Sequence, residues 1–295
     1  MRPDGWYLTE DLDDFLTRAW DFLCSRPAPH TTPLTAIEKL RTQGGKGGAA
    51  AAGAGATLFG WLEEGGEVRA AFLRPPTGRL TLTALSPGQA DRFAAHLVGL
   101  GVRPTGVLSD EETAAAFAGA WRGHTGAAHV RGWGARLHRL GTLTPPQPVP
   151  AGRGRPVGER EHGHLMRWCR EFAADVGEAV TVDAASWAGT RFAEKRYTFW
   201  ETPDGTPVAM AGANPLVGGQ VRIDPVYTPA RQRGRGYAGA VTVEVSRAAL
   251  AAGAKEVVLF TDPANRTSNA LYRRIGYVPL ADFCAYDFTC AGRHP

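Results

Sequence analysis

At 295 residues the chain has room for two domains of ordinary size, and its 43% hydrophobic and 21% charged content is close to the soluble globular average. The formal net charge of +4, carried by arginine far more than lysine, suits an anionic ligand as well as a nucleic acid. The acidic N-terminus lacks the apolar core of a signal peptide and no window approaches the ~20 apolar residues of a membrane span, so a soluble, cytoplasmic protein without a membrane partner is expected.

Taken in chain order, hydrophobic periodicity predicts helices over Asp11 to Cys24 and Pro33 to Arg41, then strands at Thr57 to Leu62 and Val68 to Leu73 joined by an EEGG turn. Between them Gly44 to Ala56 is low-complexity and reads as a surface loop; its GGKGG lacks the Walker spacing and the hydroxyl residue after lysine. A strand at Leu80 to Leu85, a helix from Gly88 to Leu100, a strand at Gly106 to Leu108, a helix from Glu111 to Trp121 and a strand near Ala135 to Leu140 follow. The proline-dense segment Thr144 to Pro156 resists helix and central strand, and reads as a linker. The expected division is therefore a domain over 1–145, a linker over 146–156 and a domain over 157–295.

The second half repeats the pattern: helices at Glu161 to Gly177 and Ala184 to Ala193, and strands at Tyr197 to Glu201, Val208 to Ala213 and Val221 to Tyr227. A helix to Ala252, a strand at Glu256 to Thr261, a helix from Asn265 to Ile275 and apolar runs through Tyr277 to Phe288 complete it. The correspondence of Val68 with Val208 supports duplication of one α/β unit. After the third strand of each half, however, SPGQADRF in the first stands where TPARQRGRGYA stands in the second. The glycines and arginines occur in one half only.

That stretch carries two overlapping patterns. Gly234-x-Gly236-x-x-Gly239 has dinucleotide spacing, but Pro229 to Arg233 separate the strand from the first glycine, where a dinucleotide turn follows its strand at once. Arg231-x-x-Gly234-x-Gly236 fits a pyrophosphate loop feeding a helix N-terminus: the glycines let main chain approach phosphate oxygens, and Arg233 and Arg235 add charge. Gly239 then serves only as a small residue inside the helix. Pro225, within VRIDPVY, predicts a strand that bulges or parts from its neighbour, leaving the main chain of Val226 to Thr228 open to an extended amide-bearing ligand. Asn265, Ser268 and Tyr272 share one helix face at i, i+3 and i+7; taken alone, Tyr272 reads better as an amphipathic core tyrosine than as a functional one, and only the loop and the split strand reverse that.

These three motifs, in this order over roughly Val208 to Phe288, resemble the GNAT superfamily of acyl-CoA N-acyltransferases. The first half resembles a second, degenerate unit, giving a tandem arrangement. The resemblance implies an α/β fold of two domains, each a mostly antiparallel mixed sheet flanked by helices and split at the cofactor strand. It implies acetyl-CoA as donor and direct attack by an amine, with no metal. Val226, Tyr227 and Thr228 would meet the donor's arm, Arg231 and Arg233 to Ala238 (Arg233, Gly234, Arg235, Gly236, Tyr237, Ala238) its phosphates, and Asn265, Ser268 and Tyr272 its thioester end. The Val226 N–H is the candidate oxyanion donor and Tyr272 the candidate acid for the thiolate; Asp224, Glu201 or water is the candidate base.

Other residues are read as follows. Trp168, Trp187 and Trp200 suit core packing or an acceptor wall. His162 and His164 are too close together for helical metal ligation and read as solvated. Cys24, Cys169, Cys284 and Cys290 form no CxxC pair and read as reduced thiols. The acceptor is expected to be a small-molecule amine. A mycothiol-synthase-like activity and a CoA-binding module without turnover remain as alternatives, and a homodimer is compatible with the sequence. Nucleic acid is disfavoured because the arginines cluster in one loop rather than along a stripe with interleaved aromatics.

Overall fold

The computed structural model describes residues 4–42, 56–76, 78–177 and 194–289. The chain groups into two units: Met1–Leu137 with Leu280–Pro295, and His138–Pro279. The fold class is the expected mixed α/β.

In the first unit, Asp11 caps α1 (Leu12–Ser25) by accepting from the backbone N–H of Asp13 at 2.7 Å and Asp14 at 3.0 Å. Phe15, Ala19 and Leu23 then bury one helical stripe. The strands are β1 (Gly5–Thr9), β2 (Leu58–Glu64), β3 (Glu67–Arg74), β4 (Leu80–Leu82), β5 (Gly106–Asp110), most of β6 (Ala128–Leu140) and most of β12 (Tyr277–Thr289). Their order is β1-β2-β3-β4-β5-β12-β6. Pairing is antiparallel along β1–β4, parallel between β4 and β5, and antiparallel between β5 and β12. Helices α2 (Thr31–Thr42), α3 (Pro87–Gly99) and α4 (Glu111–Thr125) complete the unit. Its core is aromatic: Phe93 lies 4.8 Å from Phe72 and 5.6 Å from Phe117 between ring centroids.

In the second unit, β7 (Arg153–Pro156), β8 (Arg196–Glu201), β9 (Pro207–Ala213), β10 (Gln220–Tyr227) and β11 (Glu256–Thr261) lie in the order β11-β10-β9-β8-β7. One face packs Val221, Ile223, Val257 and Leu259 against Val241 and Val245 of α6 (Tyr237–Ala251) and Tyr272 of α7 (Arg266–Arg274). The other packs Phe199, Met210 and Tyr227 against Leu165, Trp168 and Cys169 of α5 (His162–Asp175).

Two expectations about organisation need correction. The proline-dense segment does not act as a free linker. Gly141 N–H donates to Gly276 O at 2.9 Å, Thr144 N–H donates to Ile275 O at 3.1 Å, and β7 pairs with β8. Pro156 is tolerated because β7 is an edge strand. The apolar C-terminal run also leaves the second unit: Tyr277 lies in that unit's core, while Cys284 belongs to the core of the first. Strands β1 and β7, short and weakly alternating, were not foreseen. The expected helix at Ala184 to Ala193, Trp187, Cys290 and nearly all of the Gly44 to Ala56 loop lie outside the described residues. Cys24, Cys169 and Cys284 take part in no disulfide.

Candidate functional site

The site begins where two parallel strands part. Pairing of β10 with β11 runs from Gln220–Glu256 to Arg222–Val258 and ends there, while β10 continues beside β9 to Tyr227–Met210. The β9 register shifts between Ile223 and Val226, so Asp224 and Pro225 form the expected bulge. Gly212 of β9 accommodates it: a Cβ there would lie 2.9 Å from Asp224 O and 3.1 Å from the Pro225 ring. The last residues of β10 therefore have one edge without a β11 partner. Just beyond, the Thr228 hydroxyl is buried and meets no hydrogen-bonding partner among the described residues.

The loop then turns into α6. Gly234 and Gly236 have φ of +78° and +83°, backbone that favours glycine, and a Cβ on Gly234 would meet nothing within 4 Å. Gly236 is the N-cap of α6 and supplies no side chain to its first turn, whose N–H groups are those a helix leaves open. Arg231 and Arg235 are exposed beside it. Arg233 is engaged within the fold: its guanidinium donates to Thr228 O at 2.9 Å and pairs with Asp175 of α5. It fixes the loop to α5 through two of its guanidinium nitrogens, one on each. Tyr237 and Ala238 are half-buried in the first turn of α6. A Cβ on Gly239 would sit 3.1 Å from Leu271, so this glycine serves helix packing, as read from the sequence.

Across the split, Asn265 caps α7 by accepting from the Ser268 N–H at 3.0 Å. Tyr272 is buried, its ring 6.0 Å from that of Tyr277. Burial first, and the Asp224 charge second, push its phenol well above the usual range, so it carries its proton at neutral pH. No described residue hydrogen-bonds its hydroxyl. Asp224 pairs with the buried ammonium of Lys195 at 2.5 Å. Glu201 is held by Arg155 and Arg153, which keep its carboxyl below the ordinary range and make it a poor base.

The structure also places the remaining aromatic and histidine side chains, Trp200 on the face covered by α6 and Trp168 on the face covered by α5. Trp168 and Trp200 are core residues, 4% and 5% exposed. His164 is not solvated: it stands edge-on to Trp168 at 4.3 Å between ring centroids, and burial lowers its pKa. Tyr227 donates to Glu171 at 2.7 Å. Sequence reasoning missed Lys195, Gly212, Asn269 and His138. Only Gly212 left a signal, as a lone glycine inside a strand pattern. The other three act through contacts across strands and helices.

The counterpart in the first unit is closed by its own side chains. Ser109 Oγ donates to Leu82 O at 3.0 Å, and Leu85 N–H donates to Thr113 Oγ1 at 2.9 Å. The N-terminus of α3 carries a capping box in which Ser86 Oγ accepts from Gln89 N–H and Gln89 accepts from Ser86 N–H, with Pro87 at the first position. The strand edge and helix terminus left open in the second unit are thus satisfied internally in the first.

Residues 164–277 match the family model described as acetyltransferase (GNAT) family. No curated protein matches the chain. Among solved structures, a Drosophila protein is 12% identical and superposes with a TM-score of 0.60, covering 98% of this chain and 100% of its own. A tandem GNAT protein from the clavulanic acid biosynthesis pathway is 15% identical with a TM-score of 0.57, covering 99% and 100%. A GCN5-related N-acetyltransferase from Sphaerobacter thermophilus is 17% identical with a TM-score of 0.56, covering 97% and 96%. At these identities the structures establish the fold. Among the described residues no helix is long and apolar enough to cross a membrane, and no group of three or more potential ligands could hold a metal ion.

Proposed function

We propose that the chain, whose residues 164–277 match the acetyltransferase (GNAT) family model, transfers an acetyl group from acetyl-CoA to the amine of a small molecule. The observation that carries this reading is the split itself. β10 runs on past its last pair with β11 and leads, through two positive-φ glycines, into a helix whose N-terminus no side chain caps. The open edge suits the two amides of a pantetheine arm, and the N–H groups of the first turn of α6, with Arg231 and Arg235 beside them, suit a pyrophosphate. The buried Thr228 hydroxyl, without a described partner, supports a polar group bound there.

Bound acetyl-CoA supplies the activated acyl group. Within this reading the chain's own residues divide three tasks. The Val226 N–H faces the developing oxyanion. Tyr272 protonates the departing thiolate. The amine's proton passes to water or to Asp224, a carboxylate that is itself ion-paired with Lys195. The test is a CoA titration followed by thiol release from acetyl-CoA with a panel of amines. CoA binding without thiol release for any amine would favour the non-catalytic module, and absence of CoA binding would remove the reading.

A further inference from the structure

At the N-terminus of α7 three buried polar side chains, each under a tenth exposed, form one hydrogen-bonded group: His138 (0%), Thr261 (6%) and Asn269 (7%). The Asn269 amide nitrogen donates to Asn265 O at 2.7 Å and Asp262 O at 2.8 Å, with a longer approach of 3.4 Å to Pro263 O. Those carbonyls fix the amide orientation, so its oxygen must be the atom facing Thr261 and His138. Thr261 Oγ1 donates to that oxygen at 2.9 Å. His138 Nε2 lies 3.0 Å from Thr261 Oγ1 and 3.2 Å from Asn269 Oδ1. An amide oxygen only accepts, and the threonine proton is already committed to it, so His138 carries its hydrogen on Nε2 and shares it between the two oxygens.

We infer that Asn269 is a positioning residue for Tyr272. The inference rests on the acetyl-transfer reading above. Asn269 ties the last residue of β11 and the connection after it to a helix of only nine residues. Tyr272 follows three positions later, on the same helix face. Its placement beside the split is fixed at this end by the Asn269 group and at the other by Gly276, where the chain leaves α7 at φ +101°. A short helix has little hydrogen-bonding reserve of its own, so loosening one anchor lets it rotate or slide. The phenol would then move relative to the thiolate it protonates, with no change to the glycine loop that holds the phosphates.

The experiment is a pair of double-mutant cycles, Thr261→Val with Tyr272→Phe and Asn269→Ser with Tyr272→Phe. Thr261→Val is nearly isosteric and keeps the test open if Asn269→Ser folds poorly. Each single change should lower kcat roughly ten- to a hundredfold, the scale of a small misplacement of a reacting group. The Kd for CoA should stay within about twofold. Added to Tyr272→Phe, neither should cause further loss, because the group they position is gone. Losses that multiply in the doubles overturn the inference while leaving Tyr272 as the acid. Unchanged kcat in both singles also overturns it. Wild-type turnover by Tyr272→Phe overturns the acid assignment and this inference together.

Discussion

Replacing Gly236 with alanine separates the backbone role of the loop from its ligand role, because α6 has a matched control at its other end. Gly236 has φ +83° before the helix and Gly253 has φ +92° after it. An alanine at either position holds an L-residue in left-handed backbone, at about 1–2 kcal/mol. Neither new methyl meets a serious obstacle: at Gly236 the nearest atoms belong to Pro150 at 3.8 Å, and at Gly253 nothing lies within 4 Å. The two variants should therefore lose similar stability, a fall in Tm of about 2–8 °C for a unit of this size. They differ in what adjoins them. Gly236 is itself the N-cap, adjoining the N–H groups of the first turn, where one charge-assisted hydrogen bond to a phosphate contributes about 1.5–3 kcal/mol. The fifteen residues of α6 span roughly 22 Å, so Gly253 is remote from that contact. Calorimetry on the folded proteins should give at least about a tenfold weaker CoA affinity for Gly236→Ala and an unchanged affinity for Gly253→Ala. Equal affinities in the two variants would refute the assignment of α6 as the phosphate site.

Three further outcomes follow from the same geometry. Tyr272→Phe should lower acetyl transfer about a hundredfold, the scale of general acid catalysis, while leaving CoA affinity near wild type; a parallel loss of both would make Tyr272 a binding residue. Titration should saturate at one CoA per chain, since Ser86, Gln89, Ser109 and Thr113 occupy the first unit's counterpart; binding that survives Gly236→Arg would show a second site. The third outcome concerns Glu161, which Arg155 holds down to about 2 from an ordinary value of 4.5. A carboxyl depressed by folding stabilises the native state above its unfolded pKa and loses that contribution as pH falls through the folded one. The stability gap between wild type and Arg155→Ala in urea should accordingly be full at pH 7 and narrow as pH falls from about 4.5 toward 2; a gap independent of pH would contradict the pairing.

How much of this was legible depended on how locally each feature is encoded. The loop and α6 could be read because glycines at fixed offsets from arginines restrict backbone within a few residues. The bulge could be read because Pro225 cannot donate to a ladder. Asn265 was visible by its spacing, but its observed role as helix cap came from the Ser268 N–H, a contact that spacing alone does not distinguish from a ligand contact. The charge partners were hidden. Nothing in the sequence showed that Arg233 would pair with Asp175, or Glu201 with Arg153 and Arg155. Each of these partners lies at least 46 residues away in sequence. The proline-dense segment misled for a related reason: proline excludes helix and central strand, but it does not exclude an edge strand.

The two units also show why a glycine loop cannot be judged by its glycines alone. An anion site at a helix N-terminus requires that the first-turn N–H groups have no better partner within the chain. In α3 a serine and a glutamine reciprocate each other's backbone and proline removes one donor altogether, so three ordinary residues account for all of the first N–H groups but that of Gly88. Beside them two hydroxyls, from Ser109 and Thr113, bond the Leu82 carbonyl at the end of β4 and the Leu85 N–H just beyond it. Loss of the glycines would have left a strained or empty site; the serine and threonine bonds leave a satisfied one, which stabilises the first unit without a ligand. In α6 the reverse holds, because Gly236 offers the terminus nothing and Arg233 is directed away to Asp175. Restoring glycines at Ser86 and Pro87 would therefore not be enough to create an anion site in the first unit, because Thr113 would still hold the Leu85 N–H.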